Sequence, residues 1–191
     1  IQGRSFGWLE NGKLHFLFSG NIVPLRVKAL RKFFQGLSLL PSEMRSQCKV
    51  VFFTKAGDVI RKYAGALLDD GIVLVHPYVP LDKLISAIKS VDVCLLLDYS
   101  VLEVATKLLE YIACGKPVWA LIPQESSNAS VIKRYGAGWV CDLEANEEEI
   151  ARSLAGVFTL WRKNSLPVPD VDVVKLSFSA SKDLIKCVLE G

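Results

Sequence analysis

The sequence predicts a doubly wound α/β domain, a mostly parallel sheet with helices on both of its faces. The first ground is a recurring apolar run: KLHFLFS at 13–19, KVVFF at 49–53, IVLVH at 72–76, VDVCLLL at 91–97 and VWAL at 118–121. These runs are apolar throughout rather than at alternate positions, as strands buried on both faces must be. Helical spacing of apolar residues follows them, and that alternation builds parallel sheets. With 191 residues, 51% of them hydrophobic, the chain can bury a sizeable core in one such domain.

Residues 1–12 hold no sustained period and close on the turn pair Asn11-Gly12, as a linker or the tail of a preceding domain would. The domain is expected over 13–164. Its first strand, Lys13 to Ser19, runs through Gly20-Asn21 into a helix from about Leu25 to Gly36. That is the opening of a βαβ unit, whose loop can offer backbone N–H groups to a phosphate. A second strand, Lys49 to Phe53, leaves through Thr54-Lys55-Ala56-Gly57 into a helix over Asp58–Leu68. The third, Ile72 to His76, is stopped by Pro77 and Pro80. The next helix, Leu81 to Ser90, carries Leu84, Ile85 and Ile88 as its apolar stripe.

Val91 to Leu97 is the fourth strand, and Asp98 to Val104 leads on to the central helix. Ser100 and Glu103 have the spacing of a capping box, which leaves two helix starts open, at Val101 or near Thr106. Thr106 to Ala113 then has helical character until Gly115 and Pro117 end it, and Val118 to Leu121 follows as a strand. Gln124 to Asn128 is a polar loop rich in helix-capping residue types, before a helix through Arg134. Gly136-Ala137-Gly138 turns into a short strand, Trp139 to Cys141. Glu147 to Trp161 is an amphipathic helix with acidic residues at its start, as the helix dipole favours. Residues 165–191 are expected to be a loop broken by Pro167 and Pro169, then a last helix over Ser181–Glu190 packing on the domain.

Composition excludes several classes of function. A net charge of +3, with lysines and arginines scattered, does not indicate nucleic acid. The five cysteines are far apart and form no CxxC pair, so neither a zinc site nor a disulfide framework is indicated. A reducing compartment, the cytosol, fits that usage. No apolar run reaches the roughly 18–20 residues of a membrane span, and the start is no signal peptide. A chain opening on Ile1 rather than Met reads as a piece of a longer protein, and any membrane association is expected through the missing part, at the inner face.

The stretch around which the rest is arranged is ATKLLEYIACGKPVWAL, residues 105–121. Leu108, Leu109, Ile112 and Ala113 supply its core side. Thr106, Lys107 and Glu110 share the other side at i, i+3 and i+4 spacing. A hydroxyl, an ammonium and a carboxylate therefore meet on the first turns of a helix, where backbone N–H groups are unpaired and attract anions. On spacing alone Lys107 and Glu110 also read as a surface ion pair worth about 0.3–0.5 kcal/mol.

The string TKLLEYIACGKPVWAL resembles the KLxEYxAxGxPV segment of the group 1 glycosyltransferases, retaining enzymes of the GT-B fold. The resemblance spans roughly Leu14 to Leu160 and makes 13–164 a Rossmann-like, donor-nucleotide-binding half of that fold. It implies that Glu110 holds the ribose hydroxyls of a UDP- or GDP-linked sugar, and that the Ala105 and Thr106 amides receive its pyrophosphate. The family usually has Gly-Arg in the first turn, where this chain has Gly20-Asn21. Arg26 falls where the family has a Lys, with Lys28 nearby, so Arg26 and Lys107 would offset charge on the leaving diphosphate. His76 sits where the family contacts the base. A second family Glu, eight residues before the ribose-binding one, contacts the transferred sugar. That position is Leu102 here, with Glu103 one residue out of register, so either Glu103 shifts in through a loop adjustment as a catalytic residue or the sugar is held differently. The resemblance implies no metal or other cofactor, and an N-terminal acceptor-binding domain outside this chain. Two other readings keep the architecture: a non-catalytic binding or assembly domain, favoured by Asn21 and Leu102, and a nucleotide-sugar 2-epimerase, whose carboxylate and His constellation is not recognisable.

Overall fold

The computed structural model describes residues 6–170. Six strands form one all-parallel sheet: β1 (Leu14–Ser19), β2 (Cys48–Phe53), β3 (Val73–His76), β4 (Val93–Leu97), β5 (Val118–Ile122) and β6 (Gly138–Asp142). Their order across the sheet is β3-β2-β1-β4-β5-β6. The chain winds outward from β1 to β3, returns to the middle, and winds the other way from β4 to β6. The reversal lies between β1 and β4, where the loops after the two strands diverge and leave a crevice at their carboxyl ends.

Alternate residues of each strand serve opposite cores. Phe16, Phe18, Val50 and Phe52 belong to one, with α1 (Val27–Leu39), α3 (Gly57–Ala64) and α8 (Glu147–Arg162). Leu17, Val51, Phe53 and Leu96 belong to the other, with α5 (Leu81–Ser90), α6 (Thr106–Ala113) and α7 (Ser127–Arg134). Both faces are covered, which is why the strands show no polar alternation. Trp119, fully buried in the first core, donates its indole N–H to Ser153 Oγ on α8 at 2.9 Å. Gly36 lets α1 and α8 approach: a Cβ there would lie 2.3 Å from Ile150 Cγ2.

The expected elements are present, with three differences. The helix expected over 58–68 is two, α3 and α4 (Ala66–Asp69), because Gly65 adopts a φ of 50° that breaks the helical path. The helix expected from Leu25 is a 3₁₀ turn, Pro24–Arg26, then α1 from Val27. A short helix not expected from the sequence, α2 (Ser42–Arg45), follows Pro41. Residues 6–12 lie against the sheet: Trp8 is buried beside Phe53 and His15, and Glu10 pairs with Lys13 and Lys49. The last helix expected over 181–190 lies outside the described residues.

Candidate functional site

A cavity of about 340 Å³ opens at the carboxyl edge of the sheet, walled by the turn after β1, the β3–α5 loop and the start of α6. One side is polar: Ser19, Gly20, Thr106, Lys107 and Glu110. The other is apolar, with Phe53, Tyr78, Val79, Leu81 and Leu84. A ligand charged at one end and planar or apolar at the other matches this division.

The helix start that the sequence left open is settled. Ala105 has extended backbone (φ −68°, ψ 124°) and caps α6, which begins at Thr106. The Ser100 and Glu103 pair closes a loop turn instead, with the Glu103 N–H donating to Ser100 Oγ at 3.2 Å. The amides of Thr106 and Lys107 consequently have no acceptor among the described residues and stand at the positive end of the helix dipole.

Lys107 dominates the electrostatics. Its ammonium donates to the Ser19 carbonyl and lies 5.0 Å from the centroid of the Phe18 ring. Burial, followed by repulsion from Arg26, pulls it down to about 8, while Glu110 and Asp98 hold it up. Among the described residues it has no carboxylate within ion-pair distance. Gly20 is what admits it: at φ 127° a Cβ on Gly20 would sit 1.7 Å from Lys107 Nζ. Glu110, one turn further on, is half-buried on the cavity wall. Burial raises its carboxyl, and Lys107 draws it back down. The neighbouring Tyr111 is fully buried, and its hydroxyl accepts the Ser19 N–H at 2.9 Å and meets Ser19 Oγ at 3.0 Å. That bond ties the end of β1 to α6.

The remaining expected site residues are placed unevenly. Arg26 donates from Nε to Asp98 at 3.1 Å and from Nη1 to the Asn21 carbonyl at 3.2 Å. Three of its five N–H groups stay free of protein acceptors among the described residues. Asn21 is exposed and serves Arg26 through its main chain. Two expected phosphate donors are already engaged: the Gly20 N–H bonds to the Phe53 carbonyl at 3.0 Å, and the Ala105 N–H to Asn128 Oδ1 at 2.8 Å. Lys28 points elsewhere, to Glu144 at 2.5 Å. Glu103 is exposed in the loop after β4 and does not line the cavity. His76 does not line it either. Its ring stacks on Phe53 at 5.4 Å, its Nε2 is buried without a partner among the described residues, and burial lowers its pKa, favouring the neutral ring.

Sequence reasoning missed Phe53 and Tyr78 as cavity walls, and Asp98 as the holder of Arg26. Asp98 directly follows an apolar strand, and an acidic residue at that position was the available signal. Among the described residues no cluster of three or more His, Cys, Asp or Glu could hold a metal ion, and no helix is long and apolar enough to cross a membrane.

The family profile for glycosyl transferases group 1 matches residues 6–165. Comparison with curated protein sequences finds no match. Among solved structures the fold resembles WaaG, a glycosyltransferase involved in lipopolysaccharide biosynthesis (TM-score 0.64, 17% identity, 95% of this chain and 46% of that one). It also resembles the catalytic domain of the cholesterol-α-glucosyltransferase from Helicobacter pylori (TM-score 0.57, 10% identity, 93% and 98%). A third is the UDP-GlcNAc 2-epimerase from Neisseria meningitidis bound to UDP-GlcNAc (TM-score 0.59, 14% identity, 97% and 46%). The chain thus spans less than half the length of WaaG and of the epimerase. The profile match and this architecture together show that the chain belongs to the glycosyl transferases group 1 family and forms a Rossmann-like half of a GT-B fold.

Proposed function

We propose that this domain binds the nucleotide-sugar donor of a retaining glycosyltransferase whose acceptor is held by another part of a longer protein. One observation carries the reading: the Thr106 and Lys107 amides, the Lys107 ammonium and the Glu110 carboxylate share one cavity that is apolar at its far end. The free amides and Lys107 are suited to a diphosphate, since oriented donors and a poorly solvated cation favour an anion strongly. Glu110, one helical turn away, is placed to accept hydroxyl hydrogens of a ribose. Phe53 and Tyr78 offer flat apolar surface to a base.

In transfer, negative charge grows on the diphosphate as the bond to the sugar breaks. Lys107 and the helix amides would stabilise that charge more than the ground state, which is what lowers a barrier. Arg26, in the 3₁₀ turn before α1, does not line the cavity but would add a second cation beside it, close enough to repel Lys107. Glu103 would reach the sugar only if the loop after β4 rearranged on binding.

Calorimetric titration of the 191-residue chain with UDP, GDP and ADP tests the reading. One of the three is expected to bind, and Glu110→Ala to weaken it by about tenfold, the worth of a carboxylate bonded to two hydroxyls. Absence of binding by all three refutes it. Unchanged affinity in the variant would favour the non-catalytic reading.

A further inference from the structure

Two buried polar side chains near the cavity have no part in the reading above. Asp98, 2% exposed, stands just past the end of β4, and Asn128, 0% exposed, stands in the first turn of α7. Asp98 accepts Arg26 Nε at 3.1 Å and the Tyr99 N–H at 2.9 Å. Its second oxygen lies 3.5 Å from Asn128 Nδ2, and Asn128 Oδ1 accepts the Ala105 N–H at 2.8 Å. A continuous polar path therefore runs from Arg26 through Asp98 and Asn128 to the cap of α6.

The path demands these residue types. Position 128 must accept on one side and donate on the other, which an amide does and a carboxylate or a hydrocarbon does not. Position 98 must hold a guanidinium by its Nε, so that the outer N–H groups not taken by the Asn21 carbonyl stay free. Burial makes each bond costly to lose, since a stranded donor or acceptor there meets no water. The loop between Asp98 and Ala105 is held as well, through the Ser127 N–H to the Val101 carbonyl at 2.8 Å and Ser127 Oγ to the Leu102 carbonyl at 2.9 Å.

We infer that Asp98 and Asn128 are positioning residues for the donor's diphosphate: Asp98 aims Arg26, and Asn128 fixes the Ala105 cap so that the Thr106 and Lys107 amides face the ligand. The inference rests on the nucleotide-sugar reading. It separates from simple electrostatics by sign. Asp98 is negative, so were it only a charge near the site, its removal would tighten binding of an anion.

The test is calorimetry of the parent, Asp98→Ala, Asn128→Ala, Arg26→Ala and the double variant Asp98→Ala/Arg26→Ala, using whichever of UDP, GDP or ADP the parent binds. The matching nucleoside serves as the phosphate-free probe. Each single variant is expected to weaken the diphosphate about tenfold with little change for the nucleoside. Asp98→Ala is expected to add nothing once Arg26 is Ala, as a residue acting through another must behave. Where an Ala variant fails to fold, Asp98→Asn and Asn128→Asp carry the same comparison, expected to weaken the diphosphate alone. Tighter diphosphate binding on loss of Asp98, equal losses for diphosphate and nucleoside, or additive losses in the double variant would overturn the inference. If the parent binds no nucleotide, the donor-site reading itself has failed. If it binds and these variants match it, only the positioning role has failed.

Discussion

Replacing Lys107 by Met should stabilise the empty domain while it weakens diphosphate binding. Burial depresses the ammonium from 10.5 to about 8, so carrying the charge at pH 7 costs the folded chain about 3 kcal/mol. The folded value lies below the unfolded one. The unfolded chain therefore holds more protons between about pH 8 and 10.5, and stability from this group rises across that window. The penalty is complete below pH 8 and gone above 10.5. Met preserves the apolar stem against Phe18 but gives up the bond to the Ser19 carbonyl, worth about 1 kcal/mol. The net expectation at pH 7 is a gain of about 2 kcal/mol, or about 4–8 °C in Tm for a chain of this size. The thiols of Cys48, Cys114 and Cys141, pushed up by burial to about 12, 11 and 11, act in the opposite sense with pH. The quantity to follow is therefore the difference between variant and parent. Urea unfolding under reducing conditions at pH 7, 8, 9 and 10 measures it. A variant less stable than the parent at pH 7, or a difference that does not shrink by pH 10, would refute the reasoning.

Three further outcomes are expected. Diphosphate affinity of the parent should be level near pH 7 and fall above about pH 8, because a bound anion raises the Lys107 pKa and binding then takes up a proton; titration calorimetry from pH 6.5 to 9.5 reads it, and Lys107→Met should remove the fall. Tyr111→Phe strands the buried Ser19 N–H and should cost about 1–3 kcal/mol in urea unfolding, with unchanged stability counting against the β1–α6 tie. Gly138→Ala places a Cβ 2.1 Å from the Val118 carbonyl oxygen at a φ of 132°, so β6 should detach at a cost of about 3 kcal/mol or more, read from the loss of soluble protein or a large fall in Tm.

The strands were legible because a strand covered on both faces is apolar at every position, a local property of the chain. Glu110 and Thr106 were legible because helical spacing alone puts them on one side of α6. The break at Gly65 was not, since a single Gly inside a helical pattern is compatible with an unbroken helix until its φ is known. Nor was the engagement of the Gly20 and Ala105 amides, which depends on Phe53 and Asn128 arriving from distant segments. Asp98 and Asn128 were invisible as a pair for the same reason: thirty positions separate them, and only the side-by-side placement of the β4 and α7 ends makes them neighbours.

The tie between Ser19 and Tyr111 joins segments 92 positions apart. The polar wall of the cavity therefore exists only when both halves of the sheet have assembled. No truncated piece, from either side of the reversal between β1 and β4, contains it. A ligand seated on that wall would clamp the two halves together, and its binding energy would add to the resistance of the entire domain against opening.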